Sequence, residues 1–277
     1  MAKALGIIGN IKGKVGNVVG YNLTDSNNKQ TQGLRVYQPN VKNPKTAAQA
    51  EQRAKLAPIN ATYRALKMII DRGNEGLPYG NKSRLAWLKQ AFYASNMPWF
   101  TKGSAADSPV VCGLTKGSLI PITFRNSNGT LKIKADDVTD ETDITTIGKL
   151  SEVLLGAYPS LKSGDQITIV QLETYSHAMQ VQINSFIIDT TSSVSQSLLE
   201  ASAGNIEIDR DGDKVFFSVI VSREGDNGEH LRSTSSLVGY DTIYTQAPYD
   251  ATSKTAAIES YMASGSANSD WAEESIQ

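Results

Sequence analysis

Near residue 110 the hydrophobic period of this chain changes from that of a helix to that of a strand, and this change limits what it can fold into. Before it, Leu56, Ile59, Tyr63, Leu66 and Ile70 recur at spacings of 3, 4, 3 and 4, an apolar stripe along one helix face. Thr46, with Gln49 three residues later, makes a capping-box pattern in which both side chains satisfy the first free backbone N–H groups. Gly73 marks the expected end, and Pro58 predicts a kink or a break just before it. A second helix is expected over about 82–95, with Leu85, Leu88 and Phe92 on its apolar face and Trp87 nearby. The loop 74–81 makes the two an antiparallel pair.

Beyond residue 110 short alternating segments dominate, over 119–125, 130–135, 166–172, 179–188, 205–209, 215–222 and 237–245. Turn clusters such as NSNG, KSGD, DRDGD and REGDNG separate them, a spacing that predicts an antiparallel sandwich or barrel. Residues 209–213 read as a hairpin turn between the strands on either side. A short helix is expected over 147–155, and weak helices from 253 lead into an acidic end, DWAEESIQ.

The opening segment is different again. Gly6, Gly9, Gly13, Gly16 and Gly20 stand at helical spacing, but each glycine costs a helix about 1 kcal/mol against alanine. Short strands around 5–8 and 17–23 are expected instead, then a polar loop and a strand over 34–38, a β-hairpin carried on a flexible arm. The expected fold class is α+β: a basic, Gly-rich N-terminal β-hairpin or arm (1–45), a helical pair (46–108), an antiparallel β-sandwich, Ig-like or barrel-like (109–250), and a short helical acidic tail (251–277).

Charge divides the chain. Residues 1–102 hold eleven Lys and five Arg against Asp25, Glu51, Asp71 and Glu75, a net +12, and the remainder holds eleven bases against 24 acids, a net −13. Such polarity suits a basic end facing nucleic acid, or head-to-tail docking of basic and acidic surfaces between copies. Lys3, Lys12, Lys14, Arg35, Lys42, Lys45, Arg53 and Lys55 are candidates for phosphate contact, and Tyr21 and Tyr37 for stacking on bases.

Enzymatic patterns are not met. From Gly9 to Val15 the glycines stand one residue too close for a phosphate-binding loop, and Val15 occupies the place of the magnesium-binding hydroxyl. His177 and His230 have no partners at metal-site spacing, and no G-x-S-x-G elbow occurs. Asp209, Asp211 and Asp213 imitate a calcium loop, but Lys214 stands where glycine is required. The run Asp136, Asp137, Asp140, Glu141 and Asp143 reads as a solvated loop. The single cysteine, Cys112, reads as a small buried hydrophobe. No catalytic residue, metal or cofactor is therefore expected. No stretch approaches the roughly 18 apolar residues of a membrane span, and the N-terminus lacks signal-peptide features.

The stretch GNIKGKVGNVVGY, then Arg35, then NPKTAAQAEQRAK resembles an uncharacterised family of proteins common in Bacteroidota genomes and their phages, crAss-like phages included. The matching positions are Gly13, Lys14, Gly16, Val19, Gly20, Arg35, Asn43, Pro44, Thr46, Gln49, Gln52 and Arg53, about the first quarter of the chain. The resemblance implies a non-catalytic virion protein, made in the host cytoplasm: a ring or collar at the portal and tail, or a head decoration. A virion setting implies contact with other virion proteins; the charge split separately leads to the expectation of a homo-oligomer, with non-specific DNA contact as the alternative role, and the lack of an apolar span to no membrane partner. Assembly or phosphate contact is expected to fall to Lys12, Lys14, Gly13, Gly16, Gly20, Arg35, Gln49 and Arg53.

Overall fold

The structure is a computed structural model that describes residues 13–24, 30–37, 46–94, 98–105, 108–175, 178–209, 215–239 and 250–263. The chain divides into two units, residues 1–45 and 46–277.

The first unit holds a three-stranded antiparallel meander, β1 (Gly13–Val15), β2 (Val18–Thr24) and β3 (Gln30–Val36). Gly16 opens the turn between β1 and β2 with φ at 60° while Asn17 keeps a negative φ. That is the type II′ geometry whose twist matches a hairpin. β3 begins at Gln30, so part of the expected polar loop is strand and the expected hairpin is a three-stranded sheet. The strand expected over 5–8 lies outside the described residues.

The second unit begins with α1 (Ala47–Ala65), α2 (Lys67–Ile70) and α3 (Asn81–Phe92). Next come β4 (Gly113–Thr115), β5 (Phe124–Ser127), β6 (Thr130–Lys134), a 3-10 turn (Glu141–Ile144) and α4 (Ile147–Ala157). The chain continues through β7 (Gln166–Tyr175), β8 (Ala178–Ile187), β9 (Glu200–Ser202), β10 (Asn205–Ile208) and β11 (Val215–Glu224). It then forms β12 (His230–Arg232), β13 (Ser235–Ser236) and α5 (Ala251–Ala263). Two four-stranded antiparallel sheets result, ordered β12-β11-β7-β8 and β5-β6-β10-β9, with β13 and β4 paired beside them. The architecture is α+β with sandwich-like packing of antiparallel sheets.

Alternation along β7 and β11 explains the layering. Ile167, Ile169, Phe217, Val219 and Val221 point to one side and meet Leu131, Ile133, Ile206 and Ile208 of the second sheet and Leu150 and Leu154 of α4. Val170, Leu172, Phe216 and Ile220 point to the other and meet Ile59, Leu66, Ile70 and Trp87 of the helical layer. β11 is therefore apolar on both faces, as a strand between two layers must be.

Several expectations are corrected. β10 and β11 do not form a hairpin: β10 pairs with β6 and β9, and β11 pairs with β7 and β12. A polar turn signal marks where the chain leaves a strand but not where it goes, and burial of β11 on both faces assigns it to the central sheet. Helix α1 runs unbroken through Pro58; the interruption falls at Leu66, between α1 and α2. Thr62 Oγ1 donates to Pro58 O at 2.9 Å and accepts from Val110 N at 2.9 Å, tying the helix to the next layer. The capping box is half formed: Thr46 Oγ1 accepts from Gln49 N at 3.3 Å, while Gln49 Oε1 is buried without a hydrogen-bond partner. The buried face of α1 is Ala50, Ala54, Pro58, Ile59 and Thr62, with Leu56 exposed; that of α3 is Ser83, Trp87 and Ala91, with Leu85 exposed. Small residues (Ala50, Ala54, Ser83 and Ala91) face inward beside the large Ile59 and Trp87, while Leu56 and Leu85 stay outside.

Helix α5 packs Ala257 and Tyr261 on Ala50 and Ala54 of α1, and Lys254 Nζ lies 3.2 Å from Glu51 Oε1. The segment expected as a strand over 237–245 contributes only a bridge from Val238 to Phe217; residues 240–249 and the acidic end from 264 lie outside the described residues. No helix among the described residues is long and apolar enough to cross a membrane.

Candidate assembly surface

Strand register gives the N-terminal sheet two unlike faces. Val19 pairs with Lys14 on one side and with Arg35 on the other, so both cations stand on one face, two strand spacings apart. Tyr21 is on that face, and its ring covers Gly33, where an added Cβ would stand 2.6 Å from the ring. Tyr37 closes the face: its N–H donates to Asn17 O at 2.7 Å, and Lys14 Nζ sits 3.7 Å from its ring centroid. This is a cation–π contact of the kind that holds a lysine in place.

The opposite face is apolar at the end near the β1–β2 turn, with Asn22 standing further along it. Val18 pairs with Val36, and Gly20 pairs with Gly13 and Leu34. Val18 is 39% exposed, Leu34 48% and Val36 73%, while Gly20 is buried. Covering such a face removes apolar surface from water, which is favourable.

Of the residues expected to form the site, the structure brings Gly13, Lys14, Gly16, Gly20 and Arg35 into this one sheet. Lys12 lies outside the described residues. Gln49 and Arg53 belong to the other unit, on the first turns of α1, with Arg53 exposed. The apolar face was not anticipated. Its signal was present as Val18, Leu34 and Val36 at alternate positions, but only the register puts them side by side.

Among the described residues the remaining polar groups hold structural contacts; Asp211 and Asp213 lie outside them. Glu75 accepts from Ser118 N at 2.9 Å, Ser118 Oγ at 2.8 Å and Arg232 N at 3.0 Å. Burial opposes its charge, but these three donors outweigh burial and hold its carboxyl below the usual range. Asp143 Oδ2 accepts from Thr139 N and Asp140 N, and Asp140 caps the 3-10 turn. Thr130 Oγ1 donates to Asp209 Oδ1 at 2.9 Å. His230 stacks on Tyr79 with centroids 6.1 Å apart, and His177 lies outside the described residues. Cys112 is buried, which pushes its thiol up to about 12. Among the described residues no three His, Cys, Asp or Glu side chains gather as a metal site.

The class defined here is an α+β protein whose central sheet serves two cores and whose N-terminal unit is a sheet with one basic-aromatic and one exposed apolar face. Compared with family models, with curated proteins and with solved structures, the chain matches none.

Proposed function

We propose that this protein is a non-catalytic structural subunit that self-associates through its N-terminal sheet, as an oligomeric component of a phage virion. The observation that carries the reading is the exposed apolar face of Val18, Leu34 and Val36, a surface that gains by being covered. The net +12 of residues 1–102 against −13 in the remainder supports contact between unlike surfaces of neighbouring copies, and closed rings arise from such heterologous contacts. The virion setting, a ring or collar near portal and tail, rests on the resemblance of the Gly-rich opening to phage-associated proteins. The test is sedimentation of the full chain beside a variant carrying Leu34→Lys and Val36→Lys. Loss of multimers in the variant supports the reading, and an unchanged distribution removes it.

A second reading is favoured by the other face. Lys14 and Arg35 flanking Val19, with Tyr21 beside them, suit non-specific contact with a nucleic-acid backbone. Substituting Lys14 and Arg35 by Ala should then flatten the salt dependence of DNA affinity by about one unit of slope for each cation lost.

A further inference from the structure

β8 forms one edge of the central sheet, and among the described residues no strand pairs with its far side. It is ten residues long, from Ala178 to Ile187, and contains no Lys, Arg, Asp, Glu or Pro. The other edges of the two four-stranded sheets are short and charged. β12 has three residues and carries Arg232, β9 has three and carries Glu200, and β5 has four and carries Arg125. Proteins normally protect a sheet edge by shortness, charge, proline or a bulge, because an open edge recruits another strand. β8 has none of these, and its pairing with β7 is regular throughout.

The geometry defines what the edge offers. Ile188 N donates to Asp165 O at 2.8 Å, which sets the hydrogen-bonding parity along the ladder. In an antiparallel pair, residues alternate between turning their backbone groups toward the partner and away from it. Counting back from Ile188, the residues Ile187, Ser185, Ile183, Val181 and Met179 turn theirs outward. Their side chains share one face of the sheet, the face of Val170 and Leu172. On it Ile187 is 57% exposed and Ile183 38%.

We infer that the outer edge of β8 pairs antiparallel with the β8 edge of a second copy of this chain, about a twofold axis at Ile183. In this register every outward-facing residue meets another outward-facing residue. Ile183 faces Ile183 of the second copy, Val181 faces Ser185 of the second copy, and Met179 faces Ile187 of the second copy. Both exposed isoleucines thus gain apolar neighbours. On the reverse face Asn184 meets Gln182 of the second copy. Asn184 Nδ2 is buried with no hydrogen-bond partner, and a side-chain rotation supplies it with the facing amide oxygen. A strand that is uncharged and self-complementary in this way fits its own copy, and the pairing joins two central sheets into one. This contact lies in residues 46–277, apart from the N-terminal sheet, so its failure and the failure of the reading above register in different variants.

The test uses the full chain with a single added cysteine, native Cys112 being buried. Residues facing across a hydrogen-bonded pair have Cα atoms about 5.5 Å apart, within the roughly 4.4–6.8 Å that a disulfide spans. Under mild oxidant most Ile183→Cys chains should crosslink to about twice the monomer mass. Gln180→Cys chains, whose cysteines would stand about 20 Å apart in this register, should not crosslink. Ile183→Lys and Ile183→Glu should each lose the contact in sedimentation, and an equimolar mixture should regain it. Uncrosslinked Ile183→Cys, or equal crosslinking at position 180, overturns the proposal. So does loss of association by Ile183→Lys without crosslinking of Ile183→Cys, a result that would assign the edge to a different strand.

Discussion

Arg223 grips Asp165 through two parallel bonds, Nε to Oδ1 at 2.6 Å and Nη2 to Oδ2 at 2.7 Å. The carboxylate is wholly buried and also accepts from Lys162 N at 2.8 Å, while Arg223 Nη2 donates to Ser160 O at 3.1 Å. The pair fixes the start of β7 to the end of β11.

Removing one partner of a buried ion pair leaves the other charge without compensation, at a cost of about 3–5 kcal/mol. Arg223→Met should therefore lower unfolding stability by about 3 kcal/mol. Adding Asp165→Leu should recover part of the loss, because the stranded charge is then gone. Urea unfolding of the single and double variants checks both statements.

Glu75 makes the fold sensitive to acid. Its carboxyl is held below the ordinary value of 4.5, so the stability it contributes is fully present above that pH. The contribution is lost as pH falls through the lower folded-state value. The stability difference between wild type and Glu75→Gln should be constant near neutral pH and shrink in acid below about pH 4.5. Urea midpoints measured across the acid range test this, and a pH-independent difference would contradict the assignment.

Cys112 should be silent in the folded protein. Burial, with its thiol raised to about 12, leaves almost no thiolate at neutral pH, and the thiolate is the reactive form. A chromogenic thiol reagent should react only as the chain opens, at a rate that rises with denaturant. Immediate stoichiometric reaction of the native protein would refute the placement.

Gly117 lies against the β12 backbone, where an added Cβ would stand 2.1 Å from Arg232 O. Backbone cannot swing aside as a side chain can. Gly117→Ala should cost about 3 kcal/mol, at the upper end of overpacking effects, and should also loosen the Glu75 contacts to Ser118 and Arg232. Thermal unfolding of the variant, alone and combined with Glu75→Gln, measures the cost and the coupling.

Regular strands were legible because their pattern is local. The segments read as alternating over 130–135, 166–172 and 215–222 reappear as β6, β7 and β11 with ends shifted by a few residues, although β11 is buried on both faces and does not alternate. The inner faces of α1 to α3 were legible only in part: Ile59, Leu66 and Ile70 of the expected stripe are buried, whereas Ala50, Ala54, Ser83 and Ala91 carry little hydrophobic signal. They are buried because close approach selects small side chains. Ser83 succeeds there only because its hydroxyl donates to Ile70 O at 2.8 Å. The basic residues of the candidate site were readable one by one. That Lys14 and Arg35 share a face through Val19 is a property of register, which depends on pairing partners distant in sequence. The status of β8 as an edge is likewise a matter of sheet order, not of its own residues.

Phe216 and Phe217 are neighbours in the chain but lie in different cores, one against the helical layer and one against the second sheet. The strand that carries them is a party wall: neither room can be emptied while the other stays closed. Residues 46–277 should accordingly melt as one calorimetric event, with van't Hoff and calorimetric enthalpies equal, although two hydrophobic interiors are present.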